Sequence, residues 1–286
     1  MTCASLLLLA GVVVGTWNGE WFPSGRAEHR ASEKAEAATI RAAGKMLRGG
    51  IAAVDPEGTN DVILCLNEIR DRETAEALVK AIGRKGLSVA AISAYRRRDR
   101  FDQQQDVILT TLPVASANWS IWKTSRKNPV PPRGYARAEV VLSSAVTTTV
   151  YAVHLKSNYG ATTDEIKAAN TAKRTAAVGQ LVAQEKPKGR SKKKSPPVVI
   201  AGDFNADLWD EDFASERIFA ILDEAGFKNV LALAPEDERG TCPDKRWGDN
   251  AYDYILTRGF RHLTPPVIVQ AGWLSDHNPV FTVVDP

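Results

Sequence analysis

The chain has 286 residues, 44% of them apolar and 25% charged, with 37 basic against 34 acidic side chains for a net charge of +3. That length buries a core without help from disulfides or a structural metal, and so small a charge does not by itself imply a polyanionic partner. Three cysteines, Cys3, Cys65 and Cys242, make no CxxC pair and no even count, which excludes a zinc ribbon and a disulfide framework.

At the start, residues 4–14 form an apolar stretch. It is too short to span a bilayer, and no Lys or Arg precedes it as a secretory leader requires. It runs directly into Val12, Val13 and Val14, which read as a buried strand, so residues 1–10 are a leading segment or the remnant of a signal peptide. A soluble protein follows, with export to the periplasm and a cytoplasmic location both open.

Further strands are expected at 62–66, 87–92, 107–111, 138–142, 148–153, 198–201, 254–257, 266–269 and 280–284. Most are rich in Val, Ile and Leu without polar alternation, so the sheets should be covered on their faces. Helices are expected over 28–47, closed by Gly49 and Gly50, and over 72–82, followed by Gly83. A third covers 163–185, opened by a Thr162/Glu165 capping box, and a fourth covers 211–225. Alternating strands and helices indicate an α/β fold. With no repeat and no linker between cores, one domain over residues 1–286 is the simplest reading.

Two basic clusters stand out: Arg96, Arg97, Arg98 and Arg100, then Lys186, Lys188, Arg190, Lys192, Lys193 and Lys194. Solvated loops are the simpler reading, and a face attracting nucleic acid is the alternative. Cys65 reads as a core residue.

The chemistry gathers where apolar runs end. Residues 12–16 lead to Trp17, Asn18, Gly19 and Glu20; 62–66 lead to Asn67 and Glu68; 148–153 lead to His154; 198–201 lead to Gly202, Asp203, Phe204 and Asn205. Carboxyl ends of buried strands open onto ligand crevices. Asp and Asn there commonly just start turns, but Glu and His are not turn formers. Asp253 and the Asp276-His277 pair add a carboxylate beside a histidine, a pairing suited to proton transfer near neutral pH.

In chain order these segments resemble the endonuclease/exonuclease/phosphatase superfamily: TWNGEW from Thr16, DVILCLNE ending at Glu68, HLKSN from His154, GDFN from Gly202, YDYIL from Tyr252, and SDH ending at His277. The resemblance implies a four-layer α/β/β/α sandwich, two packed mixed sheets flanked by helices. It also implies a Mg²⁺ ion, with Mn²⁺ as a substitute, held by Glu68 with Asn18, Glu20 and Asp276. His277 then resembles the base oriented by Asp253, and His154 the histidine on the scissile phosphate. Asp203 and Asn205 resemble the pair that positions water and phosphate oxygens. Asn158, and Arg133 as a phosphate clamp, are expected on the substrate.

Three departures accompany it. Asn67 stands where the family usually has Gln. No Glu near residues 91–95 backs His154 as in pancreatic-type deoxyribonucleases. The abasic-site branch carries Tyr where His154 stands, which speaks against that repair role. The implied activity is phosphodiester hydrolysis, with DNA or RNA as the substrate partner and no stable protein partner. Alternatives are a phosphomonoesterase on inositol phosphates, a sphingomyelinase-like lipid hydrolase, and, from another class, an inactive binding module. Trp119, Trp122 and Trp247 are candidates for base stacking or for packing.

Overall fold

A computed structural model describes residues 11–25, 31–97, 100–101, 104–124, 130–143, 146–186, 196–244 and 248–285. Residues 1–10, Arg98, Lys188, Arg190, Lys192, Lys193, Lys194 and Trp247 lie outside the described residues.

Val12 and Val14 project to one face of their strand and Val13 to the other, yet all three are buried. Such a strand must be covered on both sides, and the architecture follows from that demand. In chain order the main elements are β1 (Val12–Phe22), α1 (Glu33–Val54), β2 (Asp61–Ile69), α2 (Arg72–Ile82), β3 (Ser88–Ile92), β4 (Gln105–Thr110) and β5 (Val114–Ile121). They continue with β6 (Gly134–Ser143), β7 (Val146–His154), α3 (Asp164–Gln184), β8 (Val198–Asp203), α4 (Ile218–Glu224), β9 (Asp253–Arg258) and β10 (Val280–Asp285).

One sheet has the order β10-β1-β2-β4-β3, with the short strands His262–Leu263 and Val267–Ile268 both pairing β10. The other runs β9-β8-β7-β6-β5, with Lys228–Asn229 on the far side of β9. Both sheets are mixed: β1 with β2 and β7 with β8 are parallel, and the remaining pairs are antiparallel. Val13, Leu64 and Leu109 of the first sheet pack with Leu47 of α1 and Leu78 of α2. Its opposite face, with Val14, Ile63 and Ile108, joins the second sheet in the other core, which α3 and α4 close through Val178, Leu181 and Leu222. The expected four-layer α/β/β/α sandwich is therefore the observed fold. Cys65 is a core residue in it.

Helix α2 and its αL glycine, Gly83 at φ +67°, match expectation. Three other readings need correction. Helix α1 does not stop at Gly49-Gly50 but runs to Val54. Gly50 is there for packing: a Cβ on it would lie 2.1 Å from Cε2 of Phe281 on β10. The cap of α3 is Thr163, whose hydroxyl accepts from the Ile166 N–H at 3.4 Å, in place of Thr162. The fourth helix is broken into a 3₁₀ turn at Glu211–Phe213 and α4. Strand β5, which is not among the expected strands, is an edge strand with nearly all its side chains exposed, so it carries no apolar pattern. No helix among the described residues is long and apolar enough to cross a membrane.

Two adjacent glycines separate these effects. Gly50→Ala should destabilise the protein by about 1–3 kcal/mol through overpacking against Phe281. Gly49→Ala has nothing within 4 Å of the new methyl and should stabilise by up to ~1 kcal/mol through helix propensity. Thermal unfolding of both variants measures the contrast; equal effects would show that Gly50 is not a packing position.

Candidate active site

Each sheet contributes one parallel pair, and polar residues sit at the carboxyl end of both. In β1/β2, Asn18 is in register with Asn67; in β7/β8, His154 is in register with Asp203. The turn before β10 brings Asp276 and His277 to the same end. It is tied to β1 by Ser275 Oγ donating to the Asn18 carbonyl at 2.7 Å and by Trp17 Nε1 donating to the His277 carbonyl at 3.1 Å. A cleft of about 950 Å³ opens there, lined by Asn18, Glu20, Glu68, His154, Asp203, Asn205, Asp276, His277 and Arg133, among others. Nine of the eleven expected site residues thus meet in one cavity.

Backbone strain marks the same place. Among the described residues, five non-glycine positions have left-handed φ: Glu20, Trp21, Glu68, Arg133 and Asn205. All five line the cleft. Such conformations cost roughly 1–3 kcal/mol each and persist where the surroundings enforce them. At Glu20 and Glu68 the cause is visible, since the β1/β2 register shifts after Asn18 and the β2/β4 register shifts after Leu66. Each irregularity turns a carboxylate into the cleft.

His277 Nδ1 lies 2.7 Å from Asp253 Oδ2, which also accepts from Thr241 Oγ1 at 2.9 Å. Asp253 is fully buried. Burial pulls the His277 imidazole down, but Asp253 and then Asp203 outweigh it and hold the ring well above its ordinary value. His154 is the opposite case. Burial holds it well below its ordinary value, and Arg133, His277 and Lys156 act in the same direction. Its Nδ1 is buried without a hydrogen-bond partner among the described residues, in keeping with the absence of a backing Glu.

Asp203 sits between the two rings, with Oδ2 3.4 Å from His154 Nε2 and 3.9 Å from His277 Nε2. Asn18 Nδ2 donates to Oδ2 at 2.9 Å, and the Asn205 N–H donates to Oδ1 at 2.8 Å. Burial raises this carboxyl, and repulsion from Asp253 adds to the rise against the lowering effect of His277.

The two expected substrate contacts differ. Arg133 lines the cleft with its guanidinium donating to the His154 and Leu155 carbonyls and to Gln104 Oε1. Asn158 is not among the cleft-lining residues, and its amide oxygen accepts from Arg174 at 3.2 Å. Arg174 is wholly buried on α3, pairs with Glu216 at 2.6 Å and also donates to the Lys156 carbonyl. It therefore braces the loop after His154. Trp122 is buried against Tyr135 and is a packing residue, whereas Trp119 is partly exposed with an edge contact to Tyr95. Arg96 of the arginine cluster reaches the cleft wall.

Sequence reasoning missed Asp106, Tyr95, Lys156 and Thr241. Asp106 had a legible signal, a carboxylate directly before the apolar run Val107, Ile108 and Leu109, but its partners are distant in sequence.

The donor set suits a hard divalent cation. Among the described residues no Lys or Arg pairs with Glu20, Glu68 or Asp276. Loss of solvent raises the Glu20 carboxyl, as does repulsion from Asp276 and Glu68. An oxygen-seeking cation relieves that repulsion. Two other groups bring ligand atoms within 4.8 Å of one another: Asp203 with Asp253 and His277, and Cys242 with Asp276 and His277. In the first, two of the three members, Asp253 and His277, are already hydrogen-bonded to each other. In the second, burial holds the thiol protonated. Glu68, Glu20 and Asp276 are further carboxylates lining the same cleft.

Fold and site together define an α/β sandwich with a carboxylate and histidine centre at one edge of its sheets. The family model described as Endonuclease/Exonuclease/phosphatase family matches residues 15–277, and the chain belongs to that family. Among solved structures it is similar to an endonuclease/exonuclease/phosphatase family protein from Leptotrichia buccalis C-1013-b, at TM-score 0.64 and 13% identity over 96% of this chain and 100% of that one. It is also similar to sphingomyelinase C from Streptomyces griseocarneus, at TM-score 0.57 and 18% identity over 96% and 99%. A third is D. rerio TDP2 complexed with a single-strand DNA product, at TM-score 0.57 and 14% identity over 96% and 99%. At these identities the likeness is one of fold. A comparison with curated proteins finds no match.

Because its pKa is lowered, the His154 ring in metal-free protein should still be neutral at the ordinary histidine value of about 6.5 and take up its proton only below it. Nitrogen-15 NMR of the ring measures this; protonation at or above pH 6.5 would contradict the electrostatic assignment.

Proposed function

We propose that the protein is a divalent-metal-dependent phosphodiesterase, a nuclease on DNA or RNA, with residues 1–286 acting as one domain. The observation that carries this reading is the His277–Asp253 pair, at 2.7 Å, in a cleft shared with Glu68 and Asp203. Proton-transfer, metal-holding and phosphate-facing groups thereby surround one volume.

His277 Nε2 takes the proton from the attacking water, while Asp253 holds Nδ1 and stabilises the imidazolium that forms. The two carboxylates strengthen this ring as a base, and it takes that proton only from its neutral form, so the step requires a pH at which His277 has lost its own proton. Neutral His154 turns Nε2 toward Asp203 and Glu68, which favours the proton on that nitrogen, ready for donation to a phosphate oxygen. Asp203 and Asn205 orient water and phosphate, and Asn205 is itself anchored by Nδ2 donating to the Leu155 carbonyl. Glu68, with Glu20, Asn18 and Asp276, would hold Mg²⁺ or Mn²⁺, which when bound neutralises charge developing on the phosphoryl oxygens and leaving group.

The basic groups of the cleft support a nucleic-acid substrate. Alongside its carboxylates the cleft is lined by Arg133 and Lys156, neither paired with a carboxylate among the described residues. The highly exposed Tyr159 also lines it. A chain of consecutive phosphates with a base stacking there suits this lining better than a zwitterionic lipid headgroup. The TDP2 structure with single-strand DNA product shows that a protein of this fold holds such a strand.

The test is hydrolysis of plasmid DNA, single-stranded RNA, inositol polyphosphate and sphingomyelin, with Mg²⁺ and with EDTA. Glu68→Ala should abolish metal-supported turnover while leaving the fold intact, and His277→Ala should lower kcat by about 10²–10⁴-fold. Cleavage of the lipid or the inositol compound alone would replace the nuclease reading, and tight binding of DNA without turnover would indicate an inactive module. Full activity in Glu68→Ala would sink the metal assignment.

A further inference from the structure

Behind the cleft floor runs a buried polar chain that hydrolysis as described does not use. Tyr95 Oη donates to Asp106 Oδ2 at 2.9 Å, and Asn67 Nδ2 donates to Asp106 Oδ1 at 2.7 Å. Asn67 Oδ1 in turn accepts the Asp203 backbone N–H at 3.0 Å. Asp106 and Asn67 are fully buried and Asp203 almost so. The chain crosses from β4 and β2 in one sheet to β8 in the other. Close approach is built in: Gly202, at φ +147°, has no side chain, and a Cβ there would lie 1.9 Å from the Val153 carbonyl oxygen and 3.0 Å from Asn67 Oδ1.

Asn67 immediately precedes Glu68, and Asp203 stands between the two histidines. Alongside Asn18, which holds the Asp203 carboxylate, the Asp203 backbone is held near Glu68 by the Asn67 amide, whose orientation Asp106 decides. An amide has a donor end and an acceptor end. With its donor end committed to Asp106, only its oxygen can face the Asp203 N–H. We propose that Asp106 is a positioning residue: acting through Asn67, it sets the place of Asp203 relative to Glu68, and Tyr95 couples this arrangement to the cleft wall. The inference rests on the reading of Asp203 and His277 as a hydrolytic centre.

Polarity exchange tests it. Asn67→Asp keeps an acceptor for the Asp203 N–H but sets a second carboxylate against Asp106. Adding Asp106→Asn restores every bond, since the amide introduced on β4 donates to the carboxylate introduced on β2 while its oxygen accepts from Tyr95. With a phosphodiester substrate that the wild type cleaves, Asn67→Asp should lower kcat by roughly 10- to 100-fold at little-changed KM, the cost of a misplaced buried polar group. The double variant should recover to within about fivefold of wild type. Amide hydrogen exchange at Asp203 should lose its protection in the single variant and regain it in the double.

Recovery of both readouts supports the proposal. A double variant as slow and as unprotected as Asn67→Asp overturns it, as does a single variant with unchanged kcat and protection. If Asn67→Asp does not fold, a folded double variant with Asp203 protected supports the proposal, and a double variant that also fails to fold overturns it. Should the wild type cleave nothing, the exchange readout still decides the buried chain, and only the hydrolytic reading falls.

Discussion

Asp203 is where the two sheets are locked together, and the site exists because of that lock. Its carboxylate takes the Asn18 amide and its backbone N–H reaches the Asn67 amide. Both asparagines stand at the ends of β1 and β2, in register with each other. Apolar contact between sheets is nondirectional and tolerates sliding, whereas these two hydrogen bonds do not. They fix Glu20 and Glu68 of one sheet, with His277 in the turn before its strand β10, against His154 and Asp253 of the other.

The electrostatics follow from that juxtaposition. Two histidines at one cavity edge are driven apart in proton affinity: His154 lacks a carboxylate hydrogen bond and is pushed down by burial and nearby cations, while His277 has Asp253 at 2.7 Å and is raised. At a pH between their two values the His277 ring carries the extra proton and the His154 ring is neutral, so the two occupy different protonation states in one cavity. Glu20, Glu68 and Asp276 bring negative charge to the cleft, and Arg133 and Lys156 bring positive charge to it. A phosphate ester is a species that such a mixed lining accommodates.

Much of this was legible in the chain. Unbroken Val, Ile and Leu runs announced sheets covered on both faces, and the polar residues ending four of them announced the cleft. What escaped reading had weak local signals. Strand β5 is exposed along nearly its whole length, so no alternation marks it. Gly49 and Gly50 looked like a helix stop because only tertiary contact with Phe281 distinguishes a packing glycine from a capping one. Asn158 belonged to a motif but binds Arg174, a partner on a later helix.

The layer order was legible only through the family resemblance, while the sequence by itself determined most of the secondary elements and the residue types available for catalysis. Those depend on local apolar periodicity and on chemistry carried by single side chains. Only the tertiary structure decided that Asn67 would bind Asp106, that Asp203 would fall between two histidines, and that Asn158 would turn to Arg174. Each of these joins residues distant along the chain, and side-chain polarity acts over a few ångströms, so the partners had no meaning until the two sheets were packed.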